Sequence, residues 1–129
     1  MKQIIRSIIV IGLLIPFLSC AQNKQPNAKF QKISAEKAKK MLDENPDILL
    51  VDVRSEAEYK ERHIPGATLL PLPEIDSKAT EVLPDKDAVI IVYCRSGMRS
   101  ANAANRLASM GYTRIYDMGG INGWPYDTE

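Results

Sequence analysis

The residues that follow an apolar run near the middle of the chain are suited to nucleophilic chemistry. Cys94 comes directly after the apolar run 88–93, and a helix is predicted to begin at Ser100. The residues between them are Arg95, Ser96, Gly97, Met98 and Arg99. Unpaired backbone N–H groups at a helix N-terminus and two nearby cations stabilise an anion. The pattern therefore predicts a reactive thiolate at Cys94, with a small buried residue at a strand end as the alternative.

Cysteine and histidine are scarce in this chain of 129 residues, which has two Cys and one His. These numbers are too small for a disulfide framework or for a zinc site of Cys and His ligands, so we expect neither a metal nor a cofactor. The 17 basic and 16 acidic residues give a formal net charge of +1, and 6% of the residues are aromatic. The sequence shows neither a basic stripe nor a base-stacking platform, so nucleic acid is not an expected partner.

The N-terminal residues have the features of an export signal. The first six residues carry two cations and no acid, and an uncharged apolar run follows over residues 8–18. A run this short favours a signal peptide over residues 1–19, because a stable membrane span needs about 20 apolar residues. The next residue is Cys20, and residues 17–20 resemble the bacterial lipobox, whose cysteine becomes lipidated.

The lipobox resemblance implies that Cys20 is the lipidated first residue of the mature protein. Residues 20–30 are then the lipidated cysteine with a polar tether, and residues 31–129 form one domain. We expect an exported cell-envelope lipoprotein that faces the periplasm and is held at the membrane by its lipid anchor. A soluble exported protein is the alternative, and the choice between inner and outer membrane stays open. With Cys20 modified, Cys94 has no partner for a disulfide, so it is either buried and inert or reactive for a purpose.

Apolar patterns and turn residues predict alternating strands and helices in the rest of the chain. The predicted strands are 29–33, 48–51, 67–70, 88–93 and 114–116, and the predicted helices are 34–44, 55–62, 73–82 and 100–110. Ser34 is a candidate helix cap, and Ser55 forms a capping box with Glu58. Such an alternation predicts an α/β domain with a parallel sheet. Ligands bind such sheets at the carboxyl ends of the strands, where Cys94 is expected to lie.

Four segments of the chain resemble signatures of the rhodanese sulfurtransferase family. Residues 94–100 resemble its active-site loop, and residues 51–59, 63–67 and 111–124 resemble the other signatures, in the same order. Arg62 departs from the pattern, since the family commonly has Gly before the His, and we expect this to affect a turn only. The resemblance implies an α/β fold with a five-stranded parallel sheet and helices on both faces.

The same resemblance implies a reaction through a covalent persulfide. Cys94 then takes the sulfane sulfur of a small anionic donor such as thiosulfate and passes it to cyanide, a thiol or a protein thiol. The N–H groups of Arg95, Ser96, Gly97, Met98 and Arg99 are expected to hold the transferred sulfur, and the two arginines to attract the donor. Other motif residues receive structural roles: Asp52, Arg54 and Glu58 hold a strand end, a cap and a turn, and His63 belongs to the turn.

Three other functions are alternatives for the same loop. Tyrosine-phosphatase-like enzymes place five residues between Cys and Arg, whereas four residues separate Cys94 from Arg99. The shorter loop suits a single sulfur atom better than a phosphate. A sulfur-carrier module without notable turnover is the second alternative. A thiol–disulfide oxidoreductase is disfavoured, because the domain has no second cysteine to resolve the bond.

Overall fold

A computed structural model of the chain describes residues 30–129. The predicted signal peptide, the predicted lipidation site Cys20 and the tether up to residue 29 lie outside the described residues. Phe30, the last residue of the predicted tether, is the first residue of strand β1. Over the described range, no helix is both long and apolar enough to cross a membrane.

Strands and helices alternate along residues 30–129, as the sequence predicts. They are β1 (Phe30–Lys32), α1 (Ala35–Glu44), β2 (Leu49–Asp52), α2 (Glu56–Glu61), β3 (Thr68–Leu69), α3 (Ile75–Val82), β4 (Val89–Cys94), α4 (Met98–Ser109) and β5 (Arg114–Gly120). Short 3-10 turns occupy Leu72–Glu74 and Ile121–Gly123. The predicted helix 73–82 is therefore a 3-10 turn followed by α3.

The five strands form one parallel sheet in the order β1-β5-β4-β2-β3. This confirms the fold that the family resemblance implies. β4 lies at the centre, which agrees with its continuous apolar sequence, because strands of parallel sheets are buried on both faces. The carboxyl end of β4 is thus surrounded by the ends of β2 and β5, where a ligand site is expected.

Two apolar clusters cover the two faces of the sheet, and β4 contributes to both. Ile90, Val92 and Cys94 pack into the cluster that contains side chains of α3 and α4. Ile91 and Tyr93 point the other way, into the cluster that contains Ala38 of α1. This alternation follows from the two-residue period of a strand. The sulfur of Cys94 therefore lies on the α4 side of the sheet.

Two helix starts agree with the caps that the sequence predicts. The side chain of Ser34 accepts a hydrogen bond from the backbone N–H of Lys37 at the start of α1. Ser55 and Glu58 form the predicted capping box at the start of α2. Both caps satisfy N–H groups that have no partner within the first turn of a helix.

Two of the element bounds that differ from the prediction concern the loop after β4. Helix α4 begins at Met98 rather than at Ser100, because Gly97 (φ +114°) takes the cap position. Strand β5 continues to Gly120 rather than ending at Tyr116, since Gly120 pairs with Cys94 after a register shift in β4.

Candidate active site

Cys94 is the last residue of β4 and is 1% exposed. It is thus as buried as a purely structural cysteine, but its sulfur contacts polar groups. The N–H of Gly97 donates to Sγ over 3.0 Å, and the hydroxyl of Ser100 lies 3.5 Å from Sγ. Sγ therefore lies inside the turn between β4 and α4, in contact with a backbone N–H at the start of that helix.

The conformation of Gly97 produces the N–H contact. Its φ of +114° lies in the left-handed region, which costs a residue with a Cβ atom about 1–2 kcal/mol. This turn brings the N–H of Gly97 back toward the strand end, and its carbonyl accepts the N–H of Ala101 in α4 at 3.2 Å. Gly97 thus joins the sulfur site to the first turn of the helix.

One backbone N–H group of the loop contacts Sγ of Cys94. Among residues 95–99, the N–H of Gly97 is the one that forms a hydrogen bond with Sγ in the described chain. Met98 and Arg99 belong to α4 rather than to the loop. The side chain of Met98 is 83% exposed, so it borders the site from the outside. The expectation that the N–H groups of residues 95–99 hold the transferred sulfur concerns a second sulfur atom bound to Sγ, and it stays a prediction.

Arg99 is held away from the expected role of a free cation. Its Nη1 and Nη2 donate to the two carboxylate oxygens of Glu58 over 2.7 and 2.9 Å. These hydrogen bonds lower the pKa of Glu58 from its ordinary value of 4.5 to about 2, against the opposing effect of burial. Glu58 thus both caps α2 and ties that helix to α4. The positive charge of Arg99 is therefore largely neutralised by Glu58.

Arg95 is the arginine of the loop that forms no ion pair within residues 30–129. Its exposed side chain lines a small pocket of about 50 Å³ together with Arg62, Glu58 and Asn122. The carbonyl of Arg95 accepts the N–H of Asn122 at 3.3 Å, which fixes the first residue of the loop. Arg95 is therefore the exposed cation next to Cys94 that can attract an anion to the loop.

A buried ion pair supports the loop from the neighbouring strand. The guanidinium of Arg54 donates to both carboxylate oxygens of Asp52, with the shortest contact at 2.7 Å, and also to the carbonyl of Arg62. Tyr93, next to Cys94, donates its hydroxyl to Asp52 and accepts the N–H of Ile64. Burial raises the pKa of Tyr93 above its usual value. These contacts agree with the structural roles expected for Asp52 and Arg54.

His63 also has the structural role that the sequence predicts. Its ring stacks on Tyr59 with centroids 3.8 Å apart, and Nδ1 lies 2.9 Å from the carbonyl oxygen of Tyr59. Its backbone N–H and C=O both pair with Glu129. Over residues 30–129, no three Cys, His, Asp or Glu side chains are grouped in a way that could hold a metal ion.

Sequence analysis missed two residues of the site. Ser100 lies in the segment 94–100 that resembles the active-site loop of the family, but nothing in the sequence indicates that its hydroxyl faces the sulfur. Gly120 lies so close to the loop that a Cβ atom there would overlap the carbonyl of Arg95. Adjacent glycines after a strand are a signal for close backbone approach, but they do not name the partner.

Comparison with known proteins decides the family. The family model described as the rhodanese-like domain matches residues 34–126, which include every residue of the site described above. The chain belongs to the rhodanese-like domain family. Single-domain sulfurtransferases are among the relatives of this rhodanese domain.

Relatives and solved structures agree with this assignment. A protein of Allochromatium vinosum named sulfurtransferase is 38% identical over 94 residues, which are 72% of this chain and 86% of that protein. The thiosulfate sulfurtransferase PspE of Escherichia coli is 37% identical over 71 residues, covering 55% of this chain and 68% of its own. A solved structure described as rhodanese with anions from E. coli has a TM-score of 0.60 and 32% identity, covering 64% of this chain and 96% of its own.

Proposed function

We propose that this rhodanese-like domain is a sulfurtransferase that moves a sulfane sulfur through a persulfide on Cys94. The donor is a small anion such as thiosulfate, and the acceptor is cyanide or a thiol. The observation that carries the proposal is the contact between Cys94 Sγ and the N–H of Gly97, in a member of a family whose relatives include named sulfurtransferases. An N–H at a helix start stabilises a thiolate, which is the nucleophilic form of cysteine.

In the first half of the reaction, the Cys94 thiolate attacks the outer sulfur of thiosulfate. A bond forms between the two sulfur atoms, the sulfur–sulfur bond of thiosulfate breaks, and sulfite leaves with the electron pair. In the second half, the carbon of cyanide attacks the outer sulfur of the persulfide. Thiocyanate forms, and the Cys94 thiolate leaves with the electron pair of the broken bond. The total charge is conserved in each half, and neither half needs an added oxidant or reductant.

The size and charge of the site favour a small anionic donor. Cys94 is almost fully buried, and four residues separate it from Arg99, a loop length that suits one added sulfur atom better than a phosphate group. Arg95 lies next to Cys94 in the loop and forms no ion pair among the described residues, whereas Arg99 is paired with Glu58. Arg95 is therefore the cation that attracts the donor.

The proposal is tested by measuring thiocyanate formation from thiosulfate and cyanide. We expect turnover by the wild type, loss of activity in Cys94→Ser, and retention in Cys20→Ser, which is the same substitution at the other cysteine. Hydrolysis of an aryl phosphate without sulfur transfer would instead assign a phosphatase. A single transfer of sulfur to Cys94 that discharges only to a protein thiol would assign a sulfur carrier.

We also propose that the chain is exported and attached to the cell envelope through a lipid on Cys20, facing the periplasm. The support is the sequence alone: the basic and apolar N-terminus and the lipobox-like residues 17–20. Expression in a bacterial host with a labelled fatty acid tests this. We expect label and membrane association in the wild type, and neither in Cys20→Ala. An unlabelled wild type in the soluble fraction would contradict the proposal.

A further inference from the structure

The hydroxyl of Ser100 is the second polar group against the sulfur of Cys94. Ser100 is fully buried in the first turn of α4, and its Oγ lies 3.5 Å from Sγ. The same Oγ donates to the carbonyl of Gly97 over 3.0 Å. The N–H of Gly97 also donates to Sγ. Sγ, Gly97 and the Ser100 hydroxyl therefore contact one another in a closed ring.

A single hydroxyl proton cannot serve both neighbours of Ser100 at once. When Cys94 is a thiol, its S–H donates to Ser100 Oγ, and the hydroxyl proton points to the Gly97 carbonyl. A thiolate has no proton to donate. The Ser100 hydroxyl can then rotate and donate its own proton to the sulfur anion. The Gly97 carbonyl is not left unpaired, because it also accepts the N–H of Ala101 at 3.2 Å. This rotation of the hydroxyl therefore leaves no buried acceptor without a partner.

We propose that Ser100 is a switchable hydrogen-bond donor that stabilises the thiolate of Cys94. This inference rests on the proposed function and deepens it, because the thiolate appears twice in that reaction: as the nucleophile toward the donor and as the leaving group toward the acceptor. With the N–H of Gly97, the hydroxyl gives the anion two donors. A hydrogen bond to an anion is stronger than one to a neutral group, so the contact favours the thiolate over the thiol.

Charged groups around the loop contribute an electrostatic field at Sγ of Cys94 that does not depend on the Ser100 hydroxyl. They are Arg95 on the loop, Arg99 on α4 with Glu58 on α2, the Asp52 and Arg54 pair at the end of β2, Asp117 on β5, and Asp76, Lys78 and Glu81 on α3. Within residues 30–129, none of these side chains forms a hydrogen bond with Sγ. Their contribution stays the same when the hydroxyl is removed, so a Ser100 variant isolates the direct contact.

The inference is tested by the pH dependence of Cys94 alkylation by iodoacetamide, read on the peptide that contains Cys94 in the full chain. We expect the pH at which the alkylation rate is half-maximal to rise by about one unit in Ser100→Ala. A rise of this size corresponds to the loss of one weak hydrogen bond to an anion. Ser109→Ala is the matched control, because Ser109 lies on the same helix and its hydroxyl bonds a backbone carbonyl far from the sulfur. Ser100→Thr, which keeps the hydroxyl, should return the midpoint toward the wild-type value.

A purely structural Ser100 would lower the melting temperature of Ser100→Ala and leave the alkylation midpoint unchanged, which would overturn the inference. The S–H stretching band of Cys94, taken as a difference against Cys94→Ser, gives a second measurement if the threonine variant does not fold. We expect this band at higher frequency in Ser100→Ala than in the wild type, and an unshifted band would also overturn it. Alkylation needs no sulfur donor, so a wild type without transferase activity counts against the proposed function alone.

Discussion

The backbone of Gly120 passes directly against the carbonyl of Arg95, with no space for a side chain between them. A Cβ atom at position 120 would overlap the carbonyl carbon and oxygen of Arg95 and lie 2.8 Å from the Cα of Ser96. All three are backbone atoms of the loop that carries Cys94, so they cannot give way as the end of a flexible side chain can. The end of β5 therefore sets the position of this loop.

Gly120→Ala should move the loop while the domain stays folded. We expect sulfur transfer to fall by about 10²-fold, since a displacement of about 1 Å can cost that much in rate. Gly123→Ala is the matched control, because a Cβ atom at that position meets no heavy atom within 4 Å and its φ is not in the left-handed region. Thiocyanate formation and far-UV circular dichroism are the measurements. Equal activity in the two variants would contradict the role of Gly120.

Glu58→Gln should remove an acid-sensitive part of the stability. The pKa of Glu58 is lowered from 4.5 to about 2 by the hydrogen bonds from Arg99, so folding favours its ionised form. That stabilisation is present above about pH 4.5 and is lost as the pH falls toward 2. We expect the variant to lose about 0.5–1 kcal/mol at neutral pH, a small value because Arg99 is 37% exposed.

Urea unfolding between neutral and acidic pH measures this difference. The wild type should lose more stability on acidification than Glu58→Gln. Glu56→Gln serves as the control, because Glu56 lies on the same helix and its ion pair with Lys60 is exposed to solvent. Glutamine can still occupy the capping box, so the variant tests the ion pair rather than the cap. Identical pH profiles for Glu58→Gln and the wild type would exclude a contribution of this pair to the acid sensitivity.

Asp52→Asn should destabilise the domain strongly. It removes the carboxylate charge that pairs with the buried guanidinium of Arg54 and accepts the hydroxyl of Tyr93. Breaking a buried ion pair by changing one partner costs about 3–5 kcal/mol. Lys60→Ala, which breaks an exposed pair, should cost less than about 1 kcal/mol. Urea midpoints of the two variants give the comparison, and similar losses would contradict the supporting role of the pair.

Arg95→Gln should weaken binding of an anionic donor while the reaction at Cys94 continues. Because Arg95 is exposed, we expect KM for thiosulfate to rise by about two- to fivefold, with a smaller change in kcat. The dependence of kcat/KM on ionic strength should also become weaker. Arg114→Gln removes an equally exposed arginine at the opposite end of β5 and should leave KM unchanged. An unchanged KM for thiosulfate in Arg95→Gln would contradict this role of Arg95, because other groups would then attract the donor.

The sequence was sufficient where the determinants are local. The run of apolar residues in β4 and the capping box of Ser55 and Glu58 each lie within a few positions of one another, so they specify their elements directly. Likewise, the order of strands and helices predicts a parallel sheet. The position of Cys94 at the carboxyl end of the central strand follows from that pattern.

The sequence was insufficient where contacts join distant segments. Glu58 and Arg99 are 41 positions apart, and no local pattern indicates that Glu58 would neutralise the charge of Arg99. The contact of Gly120 with Arg95 depends in the same way on the register between β5 and β4. Helix α4 begins earlier than predicted because Gly97, whose φ lies in the left-handed region, takes the cap position.

The central claim is that Cys94 carries the transferred sulfur, and intact mass spectrometry tests it most directly. The wild type is treated with thiosulfate and then with cyanide, and Cys94→Ser is treated in parallel. The account predicts that thiosulfate adds the mass of one sulfur atom, that peptide analysis locates it on Cys94, and that cyanide removes it. A wild type that turns over thiosulfate without this added mass, or a Cys94→Ser variant that gains it, would contradict the account.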